Sequence, residues 1–161
     1  MATTDKDDRT AGKRGVKRRA KWKTVVGWRE WVGLPDLRIE RIKAKVDTGA
    51  RTSALHAFDL ETFTHRGSPH VGFNLHPVQR KKHPEIACVA EIRDKRAVVS
   101  SNGQREERIV ILTTARIDGQ DWPIELTLTN RDQMGFRMLL GREALRGRFV
   151  VDPGASFLTK S

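Results

Sequence analysis

Cysteine and long apolar runs are nearly absent from this sequence. Cys88 is the only cysteine among 161 residues, which excludes an intrachain disulfide and favours a reducing compartment. It lies in the apolar run 86–90, so we predict a buried small side chain and not a nucleophile. No run approaches the ~18 apolar residues of a membrane span, and the N-terminus lacks the apolar core of a signal peptide. The cytoplasm is therefore the expected location, with no membrane contact.

Metal-binding and nucleotide-binding motifs are also missing. His-Glu-x-x-His does not occur, and no cysteine pair accompanies the histidines. The histidines stand five to nine positions apart, which is the wrong spacing for two ligands on one helix face. No Gly-rich loop ends in Gly-Lys-Ser/Thr. We therefore expect no catalytic zinc, no bound ATP and no other cofactor. The histidines in question are His56, His65, His70, His76 and His83.

Positive charge is abundant and concentrated at one end of the chain. Lysine and arginine number 31 against 20 acidic residues, a formal net charge of +11, which favours an acidic partner such as nucleic acid, an anionic membrane surface or an acidic protein segment. Residues 1–22 are charged and nearly free of large apolar groups, so we predict a disordered basic tail before a single domain at 23–161. Within the tail, the basic cluster Lys17–Lys23 with Trp22 is a candidate RNA contact, although a purely solubilising role fits equally well.

The rest of the chain has the pattern of an all-β protein. Short stretches of alternating apolar residues are separated by turn residues, which predicts a barrel or a sandwich. The only predicted helix is the turn Arg142–Leu145, and Pro77–Pro84 is predicted to be a basic loop or hairpin tip. The predicted strands are Thr24–Val32, Ile39–Val46, Thr52–Asp59, Val71–Leu75, Ile86–Ile92, Ala97–Ser100, Glu107–Ile117 and Trp122–Thr129.

One predicted strand runs directly into Asp47-Thr48-Gly49. Glycine lets the backbone pass close to a neighbour or adopt a positive φ, and the β-branched threonine is stiff at χ1. Such a short motif is also typical of an ordinary strand-end turn. A second motif follows late in the chain, where an apolar strand end at Met138–Leu140 leads into Gly141-Arg142 and a helical turn. Retroviral-type aspartic proteases have both motifs in this order, and the sequence resembles them.

The resemblance narrows to one bacterial branch of that family. Lys45–Ala57, Gly27–Trp31 and Val151–Pro153 are similar to the RimB-type glutamate-tail proteases, often labelled ATP-dependent zinc proteases. The similarity spans roughly Val25 to Leu158. It implies a retropepsin-like closed barrel and an aspartic endopeptidase that removes glutamates added to a small-subunit ribosomal protein. The residue patterns described above do not support the zinc or the ATP of that label.

The resemblance also implies a set of site residues. Asp47 would be the catalytic acid or base, in a turn shaped by Thr48 and Gly49. Aspartic protease chemistry needs two carboxylates that share a proton and hold a water, and the chain supplies one Asp-Thr-Gly, so a homodimer is expected. Residues 60–94 are the expected insertion relative to retroviral proteases. Structural support would come from Ala50, Leu139, Leu140, Gly141 and Arg142, and substrate contact at the tip of a flap hairpin from Ser101, Asn102 and Gly103.

Basic residues surround the candidate catalytic acid. Arg51 occupies the position where retroviral proteases have an aspartate, and Lys43 and Lys45 precede the acid on its strand. Because arginine can bind a carboxylate through two hydrogen bonds, we expect Lys45 and Arg51 to favour carboxylate-bearing substrates. The competing interpretation pairs Arg51 with Glu30 or Glu143 at a dimer contact. For Arg142 an ion pair is the preferred interpretation.

A non-enzymatic function is the alternative. A catalytically silent basic β-barrel would bind RNA or the ribosome through its tail and the Arg80–Lys82 loop.

Overall fold

A computed structural model of the chain describes residues 23–99, 103–130 and 135–159. Eleven strands dominate it, and α1 (Arg142–Leu145) is the one α-helix in those ranges. A short 3₁₀ turn spans Pro35–Leu37. The strands are β1 (Thr24–Val26), β2 (Arg29–Leu34), β3 (Ile39–Asp47), β4 (Ser53–His56), β5 (Phe58–His65), β6 (Ser68–Leu75), β7 (Ile86–Val99), β8 (Arg105–Ile117), β9 (Gln120–Thr129), β10 (Met138–Gly141) and β11 (Phe149–Val151).

Six strands close into a ring. Their order is β2-β3-β10-β4-β9-β8, and β8 returns to β2 through the pairing of Gly33 with Arg116. Two pairings, β3 with β10 and β4 with β9, are parallel, and the others in the ring are antiparallel. Closure leaves the ring with no free strand edge. The expectation of an all-β closed barrel with one short helix is therefore confirmed.

The strand pattern separates an inner face from an outer face. On β3, Ile42, Ala44 and Val46 are buried in the main core, because side chains alternate across a strand. Their neighbours Arg41, Lys43, Lys45 and Asp47 therefore share the outer face. Buried side chains of β10, β4 and β9 complete the inner layer, among them Leu140, Leu55 and Leu126.

The first predicted strand, Thr24–Val32, is wrong as a single element. It is divided into β1 and β2, because the chain turns at Gly27, whose N–H donates to the Glu30 carboxylate at 2.8 Å. Glu30 is fully buried, and it also accepts a hydrogen bond from the Leu158 N–H at 2.8 Å. The carboxylate thus joins β2 to the C-terminal segment.

Two other predicted boundaries differ from the structure. Ile86–Ile92 and the described part of the second stretch, residues 97–99, belong to the continuous strand β7, because a register shift between Ile92 and Asp94 lets the strand bend without ending. Thr52–Asp59 is divided into β4 and β5, because the pairing partner changes from β9 at His56 to β6 at Phe58.

Residues 60–94, the expected insertion, form most of β5, all of β6 and the first part of β7. These strands extend the sheet outward from β8. Cys88 lies buried there, as predicted, and burial raises the pKa of its thiol. Pro77–Pro84 is a loop, also as predicted.

The described ranges contain no helix long and apolar enough to cross a membrane. The predicted basic tail, residues 1–22, lies outside the described residues.

Candidate active site

The Asp47 turn is held by its own backbone. The Gly49 N–H donates to Oδ1 of Asp47 at 2.9 Å, and the Ala50 N–H donates to the Asp47 carbonyl at 3.3 Å. Thr48 and Gly49 are exposed, whereas Asp47 is half-buried at the end of β3. These bonds fix one carboxylate oxygen and leave the turn open on its outer side.

Strand β10 lies next to the strand that carries the turn. It runs parallel to β3, with Leu140 beside Val46 and Gly141 beside Asp47. The Gly141 N–H donates to the Ser53 hydroxyl at 3.0 Å. A Cβ at position 141 would lie 2.6 Å from the Thr52 carbonyl carbon, so only glycine fits there. The two motifs, far apart in sequence, therefore lie in contact.

The first residues of α1 fasten the other side of the turn. The Arg142 N–H donates to the Ala50 carbonyl at 2.7 Å, and the Glu143 N–H donates to the Arg51 carbonyl at 3.1 Å. The Arg142 side chain donates through Nη1 to the Thr48 carbonyl at 3.1 Å. Within the described residues its partner is thus a backbone oxygen instead of the carboxylate we expected. Arg142 positions the turn.

Arg51 pairs with Glu143 in the same chain. Its Nε lies 2.9 Å from Oε1 of Glu143, and this hydrogen bond lowers the pKa of the Glu143 carboxyl. The Arg51 side chain is 78% exposed. The other partner considered, Glu30, is buried and bonded elsewhere. The structure therefore contains the Arg51–Glu143 ion pair of the competing interpretation. The pair lies within one chain, whereas that interpretation placed it at a dimer contact.

A row of residues that are paired across neighbouring strands crosses the sheet next to the turn. Strand pairing places Lys45 beside Leu139, Leu139 beside Ala54, Ala54 beside Thr127 and Thr127 beside Val110. Most of this row is buried, yet it faces away from the main core. The hairpin of β7 and β8 extends beyond its far end. The row forms a floor on the outer face of the ring, and its Lys45 end lies two positions before Asp47 on β3.

A pocket of about 240 Å³ lies on this floor and contains Arg108, which the sequence analysis missed. The Arg108 side chain is only 13% exposed, and its Nε makes no hydrogen bond within the described residues. The nearest carboxylate oxygen, on Glu106, lies 3.6 Å from that nitrogen. The pocket is lined by Ala50, Thr52, Ala54, Arg96, Val98, Arg108, Thr127 and Leu139.

A signal for Arg108 was present in the sequence. A hairpin centred on Asn102 places Arg96 opposite Arg108, as the structure does. Like charges directly opposite each other destabilise a strand pair, so such a pair suggests a functional reason. Arg96 is compensated by Asp94 and Glu125, each 2.8 Å away, and these hydrogen bonds raise the pKa of Arg96.

The predicted flap hairpin exists, but its tip is not described. Strands β7 and β8 pair as far as Val99 with Arg105. Gly103 has a φ of +80°, a conformation that favours glycine. Ser101 and Asn102, the other candidate substrate contacts at the tip, lie outside the described residues.

Metal ligands do not cluster in the part of the chain that the structure describes. No three His, Cys, Asp or Glu side chains there come close enough to hold an ion.

Comparison with known proteins agrees with this geometry. Residues 25–161 match the family model described as RimB-like, retropepsin-like aspartic endopeptidase RimB. The crystal structure of a Legionella pneumophila protein of unknown function is similar over 86% of this chain and all of that one, with 27% identity and a TM-score of 0.72.

Curated relatives are longer proteins with a different name. A probable alpha-L-glutamate ligase of Shewanella pealeana is 47% identical over 135 residues, which cover 84% of this chain and 30% of that protein. A protein of the same name from Desulfotalea psychrophila is 45% identical over 81% of this chain and 28% of its own length. The chain thus spans less than a third of the length of these relatives.

Proposed function

The chain belongs to the RimB-like family of retropepsin-like aspartic endopeptidases, and we propose that it hydrolyses peptide bonds in glutamate-rich chains, with Asp47 as its catalytic acid or base. One observation carries the proposal. The Asp47 turn continues through Ala50 into the lining of a pocket that contains Arg108, whose side chain is 13% exposed and whose Nε makes no hydrogen bond within the described residues.

The active unit in this proposal is a homodimer. Each chain supplies one Asp-Thr-Gly turn, whereas the chemistry needs two carboxylates around one water. A twofold axis would place Asp47 of the partner subunit beside the first, because a symmetric contact pairs identical surfaces. The outward exposure of Thr48 and Gly49 leaves the turn accessible for such a contact.

The reaction is a hydrolysis in two proton transfers. One carboxylate of the pair removes a proton from the water as its oxygen bonds to the scissile carbonyl carbon. The protonated carboxylate gives its proton to the amide nitrogen as the C–N bond breaks. The products are a new carboxyl and a new amine. Within each chain the Asp47 turn is held in place for this step by Arg142, which donates to the Thr48 carbonyl, and by the pairing of Gly141 with Asp47.

Recognition of glutamate is assigned to two cations near Asp47. Arg108 would donate hydrogen bonds to a substrate carboxylate in the pocket beside Ala50, and Lys45 would contact another carboxylate near Asp47. Such charge-assisted hydrogen bonds are stronger than neutral ones, above all when water is excluded. In this arrangement Arg51 is occupied by Glu143 and supports the site from outside the pocket.

The names of the curated relatives add support for a glutamate polymer. Those proteins are named probable alpha-L-glutamate ligases, and each carries a segment like this chain within a longer protein. A protease segment joined to an enzyme that links glutamates would act on the polymer that its neighbour makes. We propose that the substrate is a glutamate tail added to a protein, such as a ribosomal protein.

The test is hydrolysis of a synthetic oligoglutamate peptide by the full chain. Asp47→Asn removes the acid and is expected to lower kcat about 10²- to 10⁴-fold. Asp118→Asn is the matched control, because Asp118 lies in the β8–β9 turn at a φ that asparagine tolerates. Unchanged hydrolysis by Asp47→Asn would exclude the assigned role. If the unmodified chain binds RNA with a steep salt dependence and cleaves no peptide, the alternative of a catalytically silent RNA-binding barrel is correct instead.

A further inference from the structure

A line of cations runs along the outer face of β3 toward the candidate catalytic acid. Arg41, Lys43, Lys45 and Asp47 occupy alternate positions and therefore point to the same side. At the strand rise of about 3.3 Å per residue, Lys43 stands roughly 13 Å from Asp47 and Arg41 roughly 20 Å away. An extended peptide held at Asp47 would reach both cations with residues four to six positions from the scissile bond.

Strand β2 adds to the same face. Its pairing with β3 places Arg29 beside Lys45 and Trp31 beside Lys43. A groove of about 690 Å³ opens here, and the loop from Pro77 to Arg80 forms its other side. Within the described ranges, no acidic residue lines it. The lining consists of Trp28, Arg29, Trp31, Arg41, Lys43, Pro77, Val78, Gln79, Arg80 and Phe136.

The cations in the groove are held in place without being neutralised. Arg41 lies 4.1 Å from the centre of the Trp31 ring, and Lys43 lies 5.4 Å from it. Arg29 contacts Trp28 at 4.7 Å and Phe157 at 5.1 Å. Aromatic faces attract cations but leave the positive charge intact.

None of these cations has an acidic partner in the described part of the chain. Salt bridges within residues 23–99, 103–130 and 135–159 involve other arginines and a histidine, and leave out Arg29, Arg41, Lys43 and Arg80. Four positive charges around one groove, with no acidic lining residue among the described residues, attract a polyanion.

The aromatic contacts favour an acidic peptide over nucleic acid. Single-stranded nucleic acid binds by stacking its bases on open aromatic faces. Here the Trp31 ring is already stacked on Phe157, with centroids 5.6 Å apart and planes at 22°, and Arg41 also covers it. Trp28 is contacted by the edge of Phe136 at 5.8 Å and by Arg29. The positive charges of the groove are thus accessible to a ligand, whereas the aromatic faces are already covered by other side chains.

We propose that this groove binds glutamates of the substrate four or more residues away from the scissile bond, so that the enzyme selects long acidic tails over short ones. The proposal rests on the proposed function, because it assigns a second contact to the same substrate. It predicts that a peptide's affinity depends on the number of glutamates that extend along β3 from Asp47.

The experiment compares two peptides that share the same scissile segment. One carries four glutamates and the other carries ten. With the unmodified chain, we expect KM to be about five- to tenfold lower for the longer peptide, and this advantage to shrink as salt is raised. Arg41→Gln/Lys43→Gln should abolish the advantage and leave the kinetics of the short peptide unchanged, which also shows that the variant folds. Arg66→Gln/Arg93→Gln removes two exposed charges from the β5–β7 extension and should keep the advantage.

The outcomes separate this proposal from the one it depends on. If neither peptide is cleaved, the proposed function fails. Binding of labelled decaglutamate to the same variants then tests, independently of catalysis, whether the groove binds an acidic peptide. If both are cleaved but the groove variant keeps the length advantage, the groove proposal is overturned and the protease stands. If the variant loses binding to a labelled single-stranded RNA but not to decaglutamate, the groove is a nucleic-acid site and the proposal is also overturned.

Discussion

Arg96 and Arg108 stand directly opposite each other on the two strands of the β7–β8 hairpin. Arg96 is bonded to Asp94 and Glu125, whereas Arg108, 13% exposed, lies 3.6 Å from Glu106 and its Nε makes no hydrogen bond within the described residues. The pair is arranged so that one arginine is neutralised locally and the other keeps a donor for the pocket. Such an unpaired buried donor costs stability unless a ligand bonds to it.

Substitution of Arg108 should therefore change substrate preference. We expect Arg108→Gln to lower kcat/KM for a glutamate peptide about ten- to a hundredfold, since a hydrogen bond to a charged group contributes about 1.5–3 kcal/mol. A peptide with glutamine in place of glutamate should lose little. Arg105→Gln, an exposed change on the same strand, is the control. Equal losses on both peptides would show that Arg108 does not recognise the carboxylate.

Substitution of Arg51 should act through the position of the turn and of α1. Because Arg51 bonds Glu143 within the same chain, we expect Arg51→Ala to lower hydrolysis of the glutamate and glutamine peptides by the same factor. Steady-state kinetics on the two peptides measure this effect. A selective loss of about ten- to a hundredfold on the glutamate peptide would instead make Arg51 a substrate contact.

The Arg51–Glu143 pair also predicts a pH dependence. Arg51 lowers the pKa of the folded-state Glu143 carboxyl, so the pair stabilises the fold above the unfolded-state pKa of glutamate. This contribution is lost as pH falls through the depressed folded-state pKa. The Tm difference between the unmodified chain and Glu143→Gln should be small because the pair is exposed, and it should vanish at the acid end. A difference that grows with acidification would contradict the pairing.

The contact between the two motifs predicts a stability effect. A methyl group at position 141 would overlap the backbone at Thr52, which cannot move away as a flexible side chain could. We expect Gly141→Ala to lower the free energy of unfolding by about 1–3 kcal/mol, seen as a lower denaturant midpoint. At Gly154 a Cβ would meet nothing closer than a side-chain oxygen at 3.5 Å, so Gly154→Ala should be nearly neutral. Comparable losses at both positions would exclude the steric explanation.

Local patterns predicted an all-β chain, the short helix and the Asp47 turn, because each depends on neighbours within a few residues, whereas the choice of a closed barrel over a sandwich came from the family resemblance. The Asp-Thr-Gly turn bonds to itself, and α1 follows directly from an apolar strand end. The break between β1 and β2 was missed since it depends on a carboxylate that also bonds the distant C-terminal segment. Continuity of β7 was missed because a bulge resembles a turn in sequence.

The site was only partly predictable for a related reason. The pairing of Arg51 with Glu143 was one of two alternatives, and sequence alone could not choose between them. The role proposed for Arg108 depends on which residues line up across five strands, and the groove joins Arg41 to Phe136 and to the loop at Arg80. Contacts between segments so far apart have no local signature.

The parallel insertion of β10 between β3 and β4 has a consequence for the order of folding. Asp47 reaches its supported geometry only when Gly141 and Arg142, more than ninety residues later, have been synthesised and docked. Contacts of such long sequence separation form late, because the loop-closure entropy must be overcome first. A ribosome-bound chain that has emerged only through β9 therefore carries the acid without its support, so the turn matures after the rest of the ring has been made.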